Sequence, residues 1–327
     1  MEKQELEKFI KRIGNSSEVN IAYFQLNWQE FLINKYKNIR HTPYRDDSSV
    51  NSLSFNNKDS IATSFELSSS DKKLFSKHIR SADSRICTLH SSALLPLLLF
   101  YSVNQTPIEI DGIEYDEVYF EVPNKVFDKS RPSKIDVALV SKSSETILYL
   151  ESKFTEYLSG KSSNSFSKNY ELFVKKVLKE QPVEKDGKLY IRGKVGNKEI
   201  IYGEGIKQII AHFIGVCKGG TDKNSVKKYI TNNYTVLLGC IVYKWNNRFD
   251  DYNGLYEIVA KSLNSLLRKN ERTGKGSDVK QNNVNSILLG APQKFSVIEK
   301  LLTYQELIEK NKNKFNPHVL EFYKLNV

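Results

Sequence analysis

The chain has 327 residues, 39% hydrophobic and 27% charged, with a formal net charge of +11 and a pI near 9.2. That length and balance predict a soluble globular protein with a real core, as one large domain or two ordinary ones. Three dispersed cysteines, Cys87, Cys217 and Cys240, with no CxxC pair, suggest neither a zinc ribbon nor a disulfide framework and suit reduced core thiols.

A basic excess of this size suits a polyanionic partner such as nucleic acid. A sequence rich in Lys, Asn, Ile and Tyr also reaches a high pI through compositional bias alone, so charge leaves both readings open. The N-terminal MEKQELEKFIKRIG is a charged amphipathic start without the apolar run of a signal peptide, and a cytoplasmic location of bacterial type is expected.

In chain order, residues 3–13 and 26–39 read as helices, 40–62 as a polar loop or linker, and 71–80 as a further helix. The longest apolar run, ALLPLLLFYSV at 93–103, is too short to span a bilayer, so no membrane partner is expected. It reads as a core helix over 91–101, with Ser91 and Ser92 placed to cap it and His90 beside them. Strand patterns follow at 116–122, 134–141 and 146–154, the last two joined by the polar turn KSSE. After a segment rich in Ser, Lys and Asn at 159–169 come a helix at 169–180 and a hairpin at 188–202 turning at Gly196-Asn197. A helix with a clear apolar face spans 204–217 and ends at Gly219-Gly220. A long buried strand at 233–245, a helix at 254–268, a basic loop at 268–283, a strand at FSVIEK and a final helix capped by Thr303 complete the chain.

The order from Ser91 to Trp245 predicts an α/β core with helices on a mixed sheet. The expected division is an N-terminal helical or loop region (1–85), a core (86–250) with an insertion at 159–203, and a helical C-terminal extension packed on the core (251–327). No internal repeat and no nucleotide-binding glycine fingerprint is present.

The chemistry concentrates in KIDVALVSKSSETILYLESKF, 134–154. Asp136 opens one apolar strand, and Glu151 and Lys153 close the next. Strand alternation puts Glu151 and Lys153 on one face, with Ser152 on the other. Asp136 and Glu151 are equidistant from the turn between Ser143 and Ser144, so antiparallel pairing brings them together at one end of the sheet. Two close carboxylates repel, and a hard divalent cation such as Mg²⁺ resolves that repulsion. A lysine beside such an ion orients a water or offsets charge on a phosphate. Glu-x-Lys occurs once in the chain. A surface salt bridge is the bland reading of such a tripeptide; the apolar strand before it and the Asp-bearing strand before that favour a site.

These residues resemble the PD-(D/E)XK nuclease superfamily, whose restriction-endonuclease-like core is αβββαβ. Within it, ICTLHSSALLPLLLF, EVPNKVFDKSRPSKIDVAL and LYLESKFTEYL are similar to stand-alone, type II-like restriction endonucleases. The likeness covers about 85–245, and Ile135 stands where many members carry proline. The resemblance implies that Asp136, Glu151 and the Ser152 backbone carbonyl bind Mg²⁺, with Mn²⁺ as a substitute, and that Lys153 positions the attacking water. Glu121 in the first strand, and Gln208 and His212 four apart on a helix, are implied as secondary site residues. The reaction implied is hydrolysis of double-stranded DNA leaving a 5′-phosphate, by a homodimer if both strands of a symmetric site are cut. Arg131, Lys207, Arg268, Lys269, Arg272 and Lys275 are candidate phosphate contacts, and the 188–202 ribbon is of a kind that fits the major groove. Alternative readings are a repair, transposon-end or junction-cutting nuclease of the same superfamily, or a non-catalytic basic nucleic-acid-binding protein.

Overall fold

The apolar runs between 117 and 153 form three neighbouring strands of a six-stranded mixed sheet in the computed structural model of the protein. The structure describes residues 39–44, 47–55, 57–79, 84–87, 92–126, 133–154, 170, 173, 183–185, 188–190, 192–195, 198–201, 204–219, 225–244, 249–273, 288 and 290–323. The helices expected over 3–13, 26–39 and 169–180 lie almost wholly outside these residues.

In chain order the elements are β1 (Ile39–Tyr44), β2 (Asp47–Phe55), α1 (Lys58–Ser64), α2 (Ser69–Ile79), α3 (Leu94–Phe100), β3 (Ile108–Ile110), β4 (Ile113–Tyr115), β5 (Glu117–Asn124), β6 (Ser133–Ser141) and β7 (Thr146–Lys153). There follow β8 (Val183–Lys185), β9 (Lys188–Tyr190), β10 (Arg192–Val195), β11 (Lys198–Ile201), α4 (Glu204–Cys217), α5 (Lys227–Thr231), β12 (Thr235–Val242), α6 (Phe249–Thr273), β13 (Phe295–Val297), β14 (Leu302–Thr303), α7 (Tyr304–Asn311) and α8 (Pro317–Phe322).

The central sheet runs β13-β12-β7-β6-β5, with β14 also on β12. β5, β6 and β7 form an antiparallel meander, as a short connection requires. β12 lies parallel to β7 over its whole length, from Thr235 opposite Thr146 to Val242 opposite Lys153. A parallel neighbour needs a crossover, and α4 lies within it, packed on β12, β7, β6 and β5. β7 is buried at every position, which is why its sequence is a continuous apolar run rather than an alternating one. β5 is an edge strand, where Pro123 is tolerated.

The structure corrects several expectations. Residues 40–62 are not a linker: β1 and β2 pair antiparallel, Ile39 against Phe55, and α1 follows with an Asn57–Ser60 capping box. The Ser and Asn content suggested a loop, but Phe55 is fully buried and anchors the hairpin. The first core helix begins at Leu94 with Ala93 at its N-cap and no side-chain cap, so Ser92 does not cap it; Ser91 and His90 lie outside the described residues. Residues 188–190 pair with 183–185, so the hairpin around 196–197 is confined to 192–201. The helix expected at 254–268 runs to Thr273, which places Arg268, Lys269 and Arg272 on its last turns rather than on a loop. Thr303 does cap α7, accepting from the Glu306 amide at 3.1 Å, but α8 follows it, capped by Asn316. The strand expected at FSVIEK is present as β13, and β14, which was not expected, joins it; both run parallel to β12.

One buried cluster extends from Phe55 to Tyr323. Ring contacts join its N- and C-terminal parts: Phe65 meets Phe322 at 5.2 Å, Phe322 meets Tyr323 at 4.8 Å, and Tyr323 meets Phe154 at 5.5 Å. Among the described residues no helix is long and apolar enough to cross a membrane.

Helix α4 passes β5 closely at Gly215, where a Cβ would stand 2.7 Å from Asn124 Cβ. Alanine is the better helix former by about 1 kcal/mol. Here the neighbour is the root of a fully buried side chain, which cannot swing away. Gly215→Ala is therefore expected to destabilise the fold by about 1–3 kcal/mol, the usual cost of overpacking, read as a lower urea midpoint.

Candidate active site

The antiparallel register pairs Val137 with Leu150, and one step further out it sets Asp136 against Glu151. Phe120 pairs with Val137 and Val122 with Ile135, which sets Glu121 against Asp136. Residues directly opposite share a face, so Glu121, Asp136 and Glu151 occupy one row across three strands. Lys153 joins the Glu151 face by alternation. Glu121 has a φ of 51°, a conformation that costs a non-glycine residue strain, and is skipped in the backbone ladder. Its carboxylate turns to Lys134 Nζ at 3.1 Å.

Glu151 is almost completely enclosed and uses both oxygens. Lys153 Nζ donates to Oε1 at 2.5 Å, and His212 Nε2 lies 2.7 Å from Oε2. Lys153 and His212 are themselves buried. The other ring nitrogen, Nδ1, meets Ser133 Oγ at 3.3 Å. α4 carries His212 to this point because its apolar face, including Ile209, Ile210 and Phe213, packs on the sheet. Asp136 is held differently: its Oδ2 accepts from the Ser152 amide at 2.7 Å.

The two carboxyls titrate in opposite directions. Burial pushes Glu151 up, but the Lys153 ammonium and His212 outweigh it and hold the carboxyl at about 2. An ionised carboxylate only accepts, so His212 Nε2 carries the hydrogen of their bond. Asp136 is raised well above the usual range, first by burial and then by the charge of Glu151; Lys153 and the Ser152 amide pull it back without prevailing. Among the described residues, the site thus contains one satisfied carboxylate and one whose charge is only partly offset.

No family model, no curated protein and no solved structure matches the chain.

Oxygen donors beside an undercompensated carboxylate suit a hard cation. Among the described residues no group of three or more His, Cys, Asp and Glu gathers around a point where an ion would sit. Asp136 and Glu151 are a pair, and Mg²⁺ characteristically takes one or two carboxylates and keeps several waters. An ion at Glu151 would share an oxygen with Lys153 or His212.

Of the expected site residues, Asp136, Glu151, Ser152, Lys153 and His212 come together. Glu121 stands in the row but is engaged with Lys134. Gln208 is half-buried one turn before His212, and no hydrogen bond joins it to the carboxylates; Lys207 is half-buried beside it. Arg268 is exposed on α6; the side chains of Lys269 and Arg272, and all of Arg131 and Lys275, lie outside what is described. A cavity of about 370 Å³ lies off this site, against Ile241, Leu302, Thr303 and Glu306 among others, and none of the carboxylate-row residues lines it.

Two partners of the site, Ser133 and Tyr304, carried no sequence signal, and Ser92, expected as a helix cap, enters through its carbonyl instead. Ser152 Oγ is 2.7 Å from the Ser92 carbonyl and 2.7 Å from Tyr304 Oη. Nothing local marks a contact between positions 152 and 304.

Proposed function

We infer that the chain is a metal-dependent endonuclease acting on double-stranded DNA, with a core of the PD-(D/E)XK, restriction-endonuclease-like type. The observation that carries this is Asp136 set against Glu151 with Lys153 on the same carboxylate, at one end of a buried sheet. The succession α3, β5, β6, β7, α4, β12 supports it, with β3–β4, β8–β11 and the short α5 as insertions. So does the net charge of +11. β10 of the small ribbon packs against α6, which puts two basic stretches of sequence side by side.

Mg²⁺ or Mn²⁺ held by Asp136, Glu151 and the Ser152 carbonyl would offset charge building on the scissile phosphate. Lys153 would hold the attacking water by its ammonium hydrogens and face the same developing charge. The water oxygen would give up a proton to solvent and bond to phosphorus as the bond to the 3′ oxygen breaks, and that oxygen would take up a proton from solvent, leaving a 5′-phosphate and a 3′-hydroxyl. His212 keeps Glu151 oriented and ionised. A type II-like restriction enzyme acting as a homodimer is the reading favoured for the whole chain; cutting in repair, transposition or junction processing uses the same site.

Supercoiled plasmid incubated with the protein tests this directly. Nicked or linear product is expected with Mg²⁺ or Mn²⁺ and none with EDTA. Discrete fragments of a defined genome would mark a sequence-specific enzyme, and a smear or nicks alone a repair-type one. Intact DNA under every metal condition, with DNA still bound, would leave a non-catalytic binding protein.

A further inference from the structure

We propose that Tyr304 is a positioning residue of this site: through Ser152 it fixes the end of β7 that carries Glu151 and Lys153. The inference rests on reading Asp136, Glu151 and Lys153 as the reactive cluster.

The hydrogen-bond directions follow from chemistry. The Ser92 carbonyl can only accept, so the Ser152 hydroxyl donates to it. Ser152 Oγ then accepts from Tyr304 O–H, giving a chain Tyr304 to Ser152 to Ser92 in which each hydroxyl hydrogen is used. Ser152 and Tyr304 are both 0% exposed, so no water replaces either bond if it breaks. The main chain of Ser152 works on the other side, donating its amide to Asp136 Oδ2. One residue therefore joins the back of the sheet to the carboxylate row.

The location makes this contact consequential. The backbone ladder between β6 and β7 ends at Val137 and Leu150, so beyond Leu150 the β6 side of β7 is held through the Asp136–Ser152 contact. Tyr304 is itself fixed at both ends. Thr303 before it lies in β14, paired with Val242 of β12, and caps the helix that Tyr304 opens. β12 in turn pairs Val242 with Lys153. The C-terminal segment is thus tied to the residue between Glu151 and Lys153. A shift there displaces all three polar groups together, because alternation puts Glu151 and Lys153 on one face as surely as it puts Ser152 on the other.

Tyr304→Phe removes the hydroxyl and keeps the ring. Under single-turnover conditions with Mg²⁺, the plasmid cleavage rate is expected to fall about tenfold or more. Affinity for the same DNA in EDTA should stay within about twofold, since Tyr304 is fully buried. Ser152→Ala should show the same loss, and the double variant no more than either single change, because both break one chain of bonds. A second readout needs no activity: amide hydrogen exchange at Ser152 should quicken about tenfold in Tyr304→Phe while Leu148 stays protected. Ser152→Ala serves the cleavage arms if Tyr304→Phe does not fold. Wild-type protein that fails to cut DNA would sink the nuclease reading alone, and the exchange arm would still decide the positioning role. Wild-type cleavage by Tyr304→Phe, additive losses in the double variant, or an unchanged Ser152 amide would each overturn it.

Discussion

Asp136→Asn is expected to make the protein more stable at pH 8 while abolishing DNA cleavage. The carboxyl of Asp136 is raised well above its usual range by burial and by the charge of Glu151. In the unfolded chain an Asp titrates near ~3.9. A carboxyl whose pKa is higher in the folded state binds its proton more tightly there, so its contribution to stability is full below ~3.9 and falls as pH rises towards the folded value. Above the folded value the native state carries the whole penalty. Asparagine is neutral throughout and still offers an oxygen to the Ser152 amide, so it removes the penalty and keeps the contact. The gain should be about 1 kcal/mol at pH 8, typical of relieving a functional residue, and should vanish below about pH 4. Cleavage should fall by roughly three orders of magnitude, the several kcal/mol a bound cation contributes to the transition state. Thermal melts with Mg²⁺ provide the cross-check: the ion should stabilise the wild type and leave the variant unmoved. An Asp136→Asn protein no more stable than wild type at pH 8 would mean the carboxyl is not strained, and the case for a cation there would weaken.

Lys153→Met should have the opposite effect on stability. Lys153 Nζ donates to Glu151 Oε1 at 2.5 Å, in a setting where the two side chains are only 4% and 1% exposed. Removing one member of a buried pair leaves the other charge uncompensated, at about 3–5 kcal/mol. Among the described residues, His212 would remain as the side-chain partner of Glu151. The pH dependence has a definite sign. In the wild type the carboxyl of Glu151 is held at about 2, so its contribution is present above the unfolded value and is lost as pH falls towards 2. Without Lys153 the folded value rises, and that contribution shrinks at every pH above it. Urea unfolding from pH 4 to 8 reads this directly, and Glu151→Gln in the Lys153→Met background should recover part of the loss without restoring cleavage. If Lys153→Met cost under about 1 kcal/mol, the pair would be behaving as an exposed salt bridge.

The hairpin at the centre of the site was legible because its signals are local. β-branched and aromatic runs marked the strands, and the spacing of Asp136 and Glu151 about one short turn predicted the register that Val137 and Leu150 display. α4 was legible end to end, since its apolar face repeats with helical period and Gly219, at φ 77°, closes it. A further local signal marks another hairpin. Asp111-Gly112, flanked by IEI and IEY, is a strong hairpin signature, and both residues adopt positive φ as β3 pairs with β4. β1 and β2 were hidden differently: their Ser, Asn and Asp content is turn-like, and pairing between the two strands overrides it.

By itself, then, the sequence determined an α/β chain with a net charge of +11, a buried β-hairpin, and two carboxylates and a lysine at one end of it. Those features follow from composition, alternation and the length of one turn, all of which act over a few residues. Tertiary structure alone decided which partners complete the site. It chose His212 over Gln208 to hold Glu151, turned Glu121 towards Lys134, and laid Tyr304 on Ser152. Each of those choices depends on how α4, β12 and α7 dock on the sheet. That docking is set by the fit of a whole buried core rather than by any short stretch of chain.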